Sequence, residues 1–311
     1  MTGETQRMQR RVAVAAVVGR TNAGKSTLVN RLVGEKISIV SPVEQTTRNT
    51  IRGMVEDPRG QIVLLDTPGL HKAEGPLGRL LNGMARASSA GSDILCVVFD
   101  GSHEPQMEDA GWMARVAREK PAKCIFALNK CDLKPFFETM FREAWNEAAA
   151  KAGPDAPVPE WVKTCGTKAG GADGLLDAMF AMAEPGPDLF DPDVVTDYPR
   201  KLAMADAIRE KLLRSLFREI PHEIGVAVDA ISERGREWDV SATIYVNRPS
   251  QKGIVIGQGG RNVKAARISA ERDISEMFGV KAALDLHVKV ERNWMKNARL
   301  LAEMGYCGSV R

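Results

Sequence analysis

Two patterns of apolar residues alternate along the first part of the chain. Short apolar runs occur at 12–18, 62–65, 94–99 and 124–128, and stretches with a helical apolar period lie between them. Continuous runs of this kind are typical of strands buried on both faces, so they predict an α/β domain with a mostly parallel sheet and covering helices. The segment 57–60, Asp-Pro-Arg-Gly, predicts a turn and hence one antiparallel hairpin in that sheet.

The pattern changes after residue 200. Six apolar residues with helical spacing predict a long helix that stops at Pro221. They are Leu202, Ala205, Ile208, Leu212, Leu213 and Leu216. Two strands, 226–231 and 240–246, follow around the turn 233–236, then helices flank a glycine cluster before a last strand at 284–290. The order predicts a second, α+β domain.

Residues 185–200 interrupt both patterns. Prolines stand at 185, 187, 192 and 199, beside Gly186 and several aspartates. This composition is typical of a linker. We therefore expect a first domain over residues 1–184, a linker over 185–200 and a second domain over 201–311, which agrees with the usual size of a domain.

Charge is divided unevenly between these parts. Residues 201–311 carry 19 Lys and Arg against 14 Asp and Glu, whereas residues 1–200 carry 24 against 26. The surplus suggests a polyanionic partner for the second half.

Neither a membrane span nor a cysteine pattern is evident in the sequence. The apolar run at 12–18 is too short to span a bilayer. The five scattered cysteines show no metal or disulfide spacing, so a reducing cytoplasm is expected.

A phosphate-binding loop directly follows the first predicted strand. Its residues are Gly19, Arg20, Thr21, Asn22, Ala23, Gly24, Lys25, Ser26 and Thr27. Two glycines separated by four residues let backbone N–H groups surround phosphates, and the next helix presents its positive N-terminus. Lys25 would neutralise phosphate charge, and Ser26 would bind Mg²⁺.

Two further motifs stand at strand ends in the order that a GTP site requires. The first comprises Asp66, Thr67, Pro68, Gly69 and the next residue, Leu70. Its carboxylate would reach Mg²⁺ and the Gly69 N–H the γ-phosphate. The second comprises Asn129, Lys130, Cys131 and Asp132. The Asp132 carboxylate would accept hydrogen bonds from guanine but not from adenine, which favours GTP over ATP.

Other segments complete the predicted site. Gln45, Thr46, Thr47 and Arg48 precede the Asp66 strand, and Thr47 is assigned the hydroxyl that senses Mg²⁺. Lys25, Thr47 and Gly69 are the expected catalytic groups. The segment opposite Asp132 is predicted to be Cys165, Gly166 and Thr167.

A glycine motif in the second half has the pattern of a KH domain, in which Gly-x-x-Gly joins two helices. Between Val240 and Ala270 there are five cations and no acid. Such a loop would let an RNA backbone approach closely while the cations neutralise its phosphates. The predicted RNA-binding residues are Arg248, Lys252, Ile256, Gly257, Gln258, Gly259, Gly260, Arg261 and Lys264.

Together, these motifs resemble the Era family of bacterial GTPases over nearly the whole chain. Family members usually have Pro and Val at positions 21 and 23, Val at 131 and Ser-Ala at 165–166, where this chain has Thr, Ala, Cys and Cys-Gly. The resemblance implies a P-loop GTPase domain followed by a type II KH domain, with GTP or GDP and Mg²⁺ as ligands. Leu70, where many GTPases have glutamine, leads us to expect slow intrinsic hydrolysis.

The resemblance also implies partners. These are the 3′ end of 16S rRNA and the 30S subunit, whose assembly and rRNA maturation the protein would assist, and the cytoplasmic face of the inner membrane as a peripheral contact. A monomer is expected. Asn22 raises the hypothesis that K⁺ supports hydrolysis.

Three alternatives remain open at the level of sequence. An ATP-driven enzyme would keep the phosphate loop and treat 129–132 as an accidental turn. A GTPase with a protein-docking second domain would expose the 202–216 apolar stripe, although core packing is the preferred interpretation. A tRNA-modifying GTPase would need a catalytic C-terminal cysteine motif, whereas Cys307 precedes only a short tail.

Overall fold

The computed structural model describes residues 10–41, 47–69, 75–216 and 220–306. They divide into two units, of which the first contains described residues from 10–38, 49–69 and 81–197. The second contains 39–41, 47–48, 75–80, 198–216 and 220–306. Leu70, Gln45, Thr46 and Cys307 lie outside the described residues.

The first unit is built on one sheet in the order β2-β3-β1-β4-β5-β6, with β7 beside β1. Its strands are β1 (Arg11–Val18), β2 (Ile51–Asp57), β3 (Gly60–Asp66), β4 (Ile94–Asp100), β5 (Cys124–Asn129), β6 (Glu160–Lys163) and β7 (Glu184–Pro185). Only the β2–β3 and β1–β7 pairs are antiparallel. The mostly parallel sheet and its hairpin are therefore confirmed.

Helices follow the strands as the alternating pattern predicts. They are α1 (Lys25–Val33), α2 (Gly75–Ala90), α3 (Met107–Glu119), α4 (Glu138–Ala152) and α5 (Asp173–Met182). Strand β4 is buried at every position, as its continuous apolar run requires. Aromatic rings pack beside it, with Phe99 and Phe126 edge to face at 5.1 Å between centroids. This core holds the carboxyl ends of β1, β4 and β5 next to one another.

The segment predicted as a linker makes specific contacts within the first unit. Glu184 and Pro185 form β7, and the Gln61 side-chain carbonyl accepts hydrogen bonds from the backbone N–H groups of Leu189 and Phe190, both over 3.0 Å. The Met54 N–H also donates to the Val195 carbonyl. The segment from Glu184 to Val195 is therefore attached to β1, β3 and β2 in turn before the second unit begins.

The second unit has the helix-first KH architecture. Its elements are α6 (Arg200–Ser215), α7 (Ile220–Glu223), β8 (Gly225–Arg234), β9 (Glu237–Val246), α8 (Pro249–Ile256), α9 (Arg261–Phe278), β10 (Lys281–Val290) and α10 (Ala298–Glu303). The sheet order is β10-β9-β8, with β9 antiparallel to β8 and parallel to β10. Alternate residues of β9 are buried, including Val240, Ala242 and Ile244, as expected for a sheet covered on one face.

Helix α6 buries the stripe that the sequence singled out. Ala205, Ile208 and Leu212 belong to the core of the second unit, which confirms the preference for core packing. The helix ends at Ser215, earlier than the predicted stop at Pro221, because Leu216 takes an extended backbone with ψ of 149°. Pro221 instead lies in the first turn of α7, where a missing N–H costs little. In the described part of the chain, no helix is long and apolar enough to cross a membrane.

Candidate nucleotide site and glycine loop

The phosphate loop connects the end of β1 to the start of α1. Gly19, Asn22 and Gly24 have φ of 145°, 60° and 94°, values that L side chains other than Asn rarely adopt. A Cβ on Gly19 would lie 2.3 Å from the Val98 carbonyl oxygen. Glycine is therefore required there, because the loop passes directly against β4.

Lys25 is buried inside this loop. Its Nζ donates to the carbonyl oxygens of Arg20 over 2.8 Å and Gly19 over 3.2 Å. Burial lowers the pKa of Lys25 to about 8, although the Asp66 carboxylate acts in the opposite direction. A bound anion would favour the charged form of this buried lysine, because its negative charge would offset the cost of burying the ammonium group.

Asp66, at the end of β3, is fully buried beside the loop. Burial raises the pKa of Asp66, while a hydrogen bond with Ser26 and the Lys25 charge favour the ionised form. A carboxylate beside a hydroxyl is the hard oxygen donor set that Mg²⁺ prefers, so these residues fit that ion. The next residue, Thr67, donates its hydroxyl to the Val17 carbonyl over 2.9 Å and fixes the strand end.

Gly69 lies directly against the phosphate loop. A Cβ at this position would be 2.8 Å from the Thr21 backbone nitrogen and 2.9 Å from Lys25 Nζ. The close approach explains why glycine follows the buried Pro68. Any side chain here would displace the loop or its lysine.

Asn129 joins the three segments predicted to surround the nucleotide. Its Nδ2 donates to the Ala23 carbonyl over 2.9 Å, and its Oδ1 accepts from Thr164 Oγ1 over 3.2 Å and from the Gly166 N–H over 3.3 Å. Gly24 must be glycine because a Cβ would lie 2.3 Å from Asn129 Nδ2. The structure therefore brings the loop, the 129–132 motif and the 165–167 segment together.

Asp132 lies at the partly exposed end of this arrangement. A hydrogen bond from Cys165 lowers the pKa of Asp132 and keeps the carboxylate ionised. The Cys165 Sγ also lies 3.3 Å from Thr167 Oγ1, and the Cys131 N–H donates to the Thr164 carbonyl over 3.1 Å. Ionised Asp132 is the form that accepts hydrogen bonds from guanine.

Thr47 belongs to a different structural unit from the other two predicted Mg²⁺ ligands. It is half-buried and belongs to the second unit, whereas Ser26 and Asp66 belong to the first. The neighbouring Arg48 donates through Nη1 to the Ile224 carbonyl over 2.9 Å within the second unit. The role of Thr47 therefore stays a prediction.

Two carboxylates that sequence reasoning missed contact the predicted nucleotide loops. Asp100 Oδ2 lies 2.7 Å from Lys130 Nζ, and Asp109 Oδ2 lies 3.2 Å from Arg20 Nε. Neither belongs to a recognised motif. The sequence could have pointed to Asp100 through its position at the end of β4, because ligands of open α/β sheets bind at the carboxyl ends of the strands.

The glycine loop of the second unit connects α8 to α9. Gly257, Gly259 and Gly260 have φ of 72°, 62° and 77°, and nothing lies within 4 Å of a Cβ built on Gly259 or Gly260. This surface is open for a backbone to approach. The predicted cations around it, Arg248, Lys252, Arg261 and Lys264, are all exposed, and Gln258 is exposed between the glycines.

Two isoleucines on the helices that flank the loop are exposed. Ile254 on α8 is 50% exposed and Ile268 on α9 is 51% exposed, whereas Ile256 is half-buried. Sequence reasoning did not single out Ile254 or Ile268, because a helical period does not by itself tell which apolar residues remain uncovered. Exposed apolar groups near cations suit unstacked bases.

Comparison with known proteins agrees with both parts of this geometry. The family model described as "50S ribosome-binding GTPase" matches residues 14–130, and the model described as "KH domain" matches residues 219–295. GTPase Era of Geobacter sp. (strain M21) is 36% identical over 297 residues, which cover 95% of this chain and 98% of the relative. GTPase Era of Mycobacterium leprae (strain TN) is 37% identical over 95% of this chain and 99% of its own.

Solved structures give the same result for the fold. A crystal structure of Era in complex with MgGDPNP and nucleotides 1506–1542 of 16S ribosomal RNA superposes with a TM-score of 0.87 at 28% identity, covering 96% of this chain and all of that chain. Aquifex aeolicus Era, in a variant bound to GDP.AlF4-, gives the same values. With relatives above 30% identity over almost its full length, this chain belongs to the Era family of GTPases and hydrolyses GTP.

Proposed function

We propose that this GTPase binds the 3′ end of 16S rRNA through its KH domain and assists 30S subunit assembly and rRNA maturation. The observation that carries the proposal is the open glycine loop 257–260 between two helices with exposed cations. Its support from outside this chain is a similar Era protein whose structure contains nucleotides 1506–1542 of that RNA. Phosphates would lie on the loop and its cations, and bases on the exposed isoleucines.

The proposed nucleotide chemistry uses the groups already described. Ser26, Thr47 and Asp66 would hold Mg²⁺, which when bound neutralises phosphate charge. Lys25 would pair with the phosphates, and the Gly69 N–H would meet the γ-phosphate. Asp132 would select guanine, with Cys165 keeping its carboxylate ionised. The remaining loop and motif residues would line the nucleotide through their backbones.

The finer parts of the proposal concern domains, ions and location. We propose a GTPase domain over 1–184, a connecting segment over 185–200 and an RNA-binding domain over 201–311, acting as a monomer in the cytoplasm with peripheral contact to the inner membrane. Asn22, with φ of 60° in the phosphate loop, would support a K⁺ ion during hydrolysis. Equal turnover in sodium and potassium buffers would remove the potassium role.

The test is a gel-shift titration of a 3′-terminal 16S rRNA fragment and a scrambled RNA, with a non-hydrolysable GTP analogue and with GDP. Binding to the authentic fragment is expected to be tighter, and tighter still with the GTP analogue. Gly259→Asp should abolish it by placing a carboxylate where a phosphate would lie, while GDP affinity is retained.

Gly235→Asp provides a matched control. Gly235 lies in the β8–β9 turn of the same domain, with the same φ of 62° and nothing within 4 Å of an added Cβ. It carries the same change in charge and backbone strain away from the glycine loop. Equal, weak binding of the native chain to both RNAs would contradict the proposal and favour a second domain that docks a protein.

A further inference from the structure

Asp100 forms ion pairs with both the phosphate loop and the 129–132 motif. Its side chain is 3% exposed, and its Oδ2 is 2.7 Å from Lys130 Nζ and 3.4 Å from Arg20 Nη2. One carboxylate oxygen therefore faces a cation from the phosphate loop and a cation from residues 129–132, the guanine motif.

The sheet topology creates this meeting point. β4 lies between β1 and β5, and Asp100 pairs in register with Asn129 at the end of β5. The phosphate loop leaves the end of β1 on one side, and the 129–132 motif leaves β5 on the other. A side chain at the last position of β4 can therefore contact both loops.

The carboxylate is held in one orientation. Its Oδ1 accepts from the Ser102 N–H over 3.1 Å and from Ser102 Oγ over 2.6 Å, which leaves Oδ2 for the cations. Burial opposes ionisation of this group, yet the hydrogen bonds from Lys130 and Ser102 lower the pKa of Asp100 below its ordinary value. The charge that attracts both cations is thus retained at neutral pH.

We infer that Asp100 is a positioning residue that couples phosphate binding to guanine recognition. The inference rests on the proposed roles of the phosphate loop and of residues 129–132. Arg20 connects to the phosphates because its carbonyl accepts from Lys25 Nζ over 2.8 Å. Lys130 connects to the base because its left-handed backbone, with φ of 63°, directs the chain toward Asp132.

Loss of the carboxylate has a defined physical effect. Arg20 would keep Asp109, whose Oδ2 lies 3.2 Å from Arg20 Nε, but it would no longer share a carboxylate with Lys130. Without the shared negative charge between them, the two like charges would repel each other. The phosphate loop and the guanine motif would then lose their common support together. Asp100 would therefore affect nucleotide binding through its two partners, Arg20 and Lys130.

The first experiment measures the affinities of Asp100→Asn for GDP, GMP and inosine diphosphate, which lacks the amine that Asp132 would contact. GDP affinity should fall about 10- to 100-fold, as for loss of charge-assisted hydrogen bonds. The preferences for GDP over GMP and over inosine diphosphate should both decline. A purely structural role would lower thermal stability and leave these ratios unchanged.

Two further variants bracket the result. Asp155→Asn removes a carboxylate that pairs with Lys120 on the exposed surface of the same unit, and should bind GDP as the native chain does. Asp100→Glu keeps the charge and should recover part of the lost affinity. The unmodified protein is measured in the same assay. If it does not bind GDP, the proposed nucleotide site is wrong; if it binds GDP but Asp100→Asn keeps the native nucleotide ratios, only the coupling is wrong.

A double-mutant cycle decides the coupling directly. Arg20→Met and Lys130→Met should be non-additive in GDP affinity by about fivefold or more with Asp100 present. In the Asp100→Asn background, the two changes should become additive. Additivity in the native background would overturn the inference, even if Asp100→Asn fails to fold, and so would unchanged nucleotide ratios in a folded Asp100→Asn protein.

Discussion

The Asn129 side-chain amide donates a hydrogen bond to the Ala23 carbonyl, so the strand that begins the guanine motif also supports the phosphate loop. Asn129 is 2% exposed and satisfies two further donors through its oxygen. We therefore expect Asn129 to support nucleotide binding by holding these segments in place, in addition to any contact of its own with the nucleotide.

Asn129→Ala should weaken GDP binding by about 10- to 100-fold, because the loop loses a buried brace and two donors lose their acceptor. Titration with a fluorescent GDP analogue measures the change. Asn146→Ala, on the exposed surface of α4, is the control and should leave affinity unaltered. Equal affinities for all three proteins would exclude a bracing role.

Asp132→Asn should exchange guanine preference for xanthine preference. The amide would donate where the carboxylate accepted, which suits the xanthine carbonyl and not the guanine amine. Competition between GDP and xanthosine diphosphate measures the exchange. If the variant lost affinity for both nucleotides equally, Asp132 would not be the group that recognises the base.

GDP affinity should decline as pH rises above about 8. In the free protein Lys25 has a pKa of about 8, and bound phosphate would raise that pKa. Below pH 8 the lysine is charged in both states, so binding takes up no proton. Above it, the neutral lysine must gain a proton on binding, and affinity falls by up to about tenfold per pH unit.

Calorimetry in two buffers of different ionisation enthalpy measures this proton uptake. EDTA in the buffer keeps Mg²⁺ and the Asp66 site out of the measurement. Uptake should be near zero at pH 7 and should approach one proton per GDP at pH 9. Identical uptake at the two pH values would show that Lys25 does not titrate in this range.

RNA affinity should depend on salt through the cations around the glycine loop. In a plot of log affinity against log salt concentration, the slope is negative. Lys264→Ala should make it shallower by about one unit, as expected when one phosphate contact is lost. Lys281→Ala removes an exposed lysine that pairs with Glu237 at the far end of β10, and should leave the slope unchanged. A gel shift at several potassium chloride concentrations distinguishes the two.

The core of the KH domain offers a matched pair on one helix. Ile274 is fully buried on α9 and Ile268 is 51% exposed. Ile274→Ala should lower the free energy of unfolding by about 2–5 kcal/mol, whereas Ile268→Ala should change it by less than about 0.5 kcal/mol but weaken RNA binding. Denaturant unfolding and gel shifts measure both effects. GDP affinity should stay native in each variant if the two domains fold separately.

The sequence predicts those strands best in which every residue is buried. The run that becomes β4 is apolar throughout, so its sequence predicts a central strand. β6 has no fully buried position and β7 is two residues long with a proline, and neither carries a comparable signal. Their places depend on neighbouring strands rather than on their own composition.

The predicted site also has a part that the sequence indicates and a part that only the fold brings together. Motif spacing predicts the loop, Asp66, Asp132 and Gly257–Gly260, because local requirements fix those residue types. Backbone geometry requires the glycines, and the predicted ligands require the two carboxylates. The Asp100 contacts with Arg20 and Lys130 join residues far apart in sequence, and no spacing encodes them. Only the packing of β1, β4 and β5 side by side brings these charges together.

The parallel pairing of β9 with β10 has a consequence for synthesis on the ribosome. All ten register pairs of β10 require residues 281–290, which leave the exit tunnel after every strand of the GTPase sheet. The described strands of the GTPase sheet all lie at or before β7, so this sheet can form and bind nucleotide while the RNA-binding half is still being translated. The ability to bind RNA would then arise after the chain is already able to bind GTP.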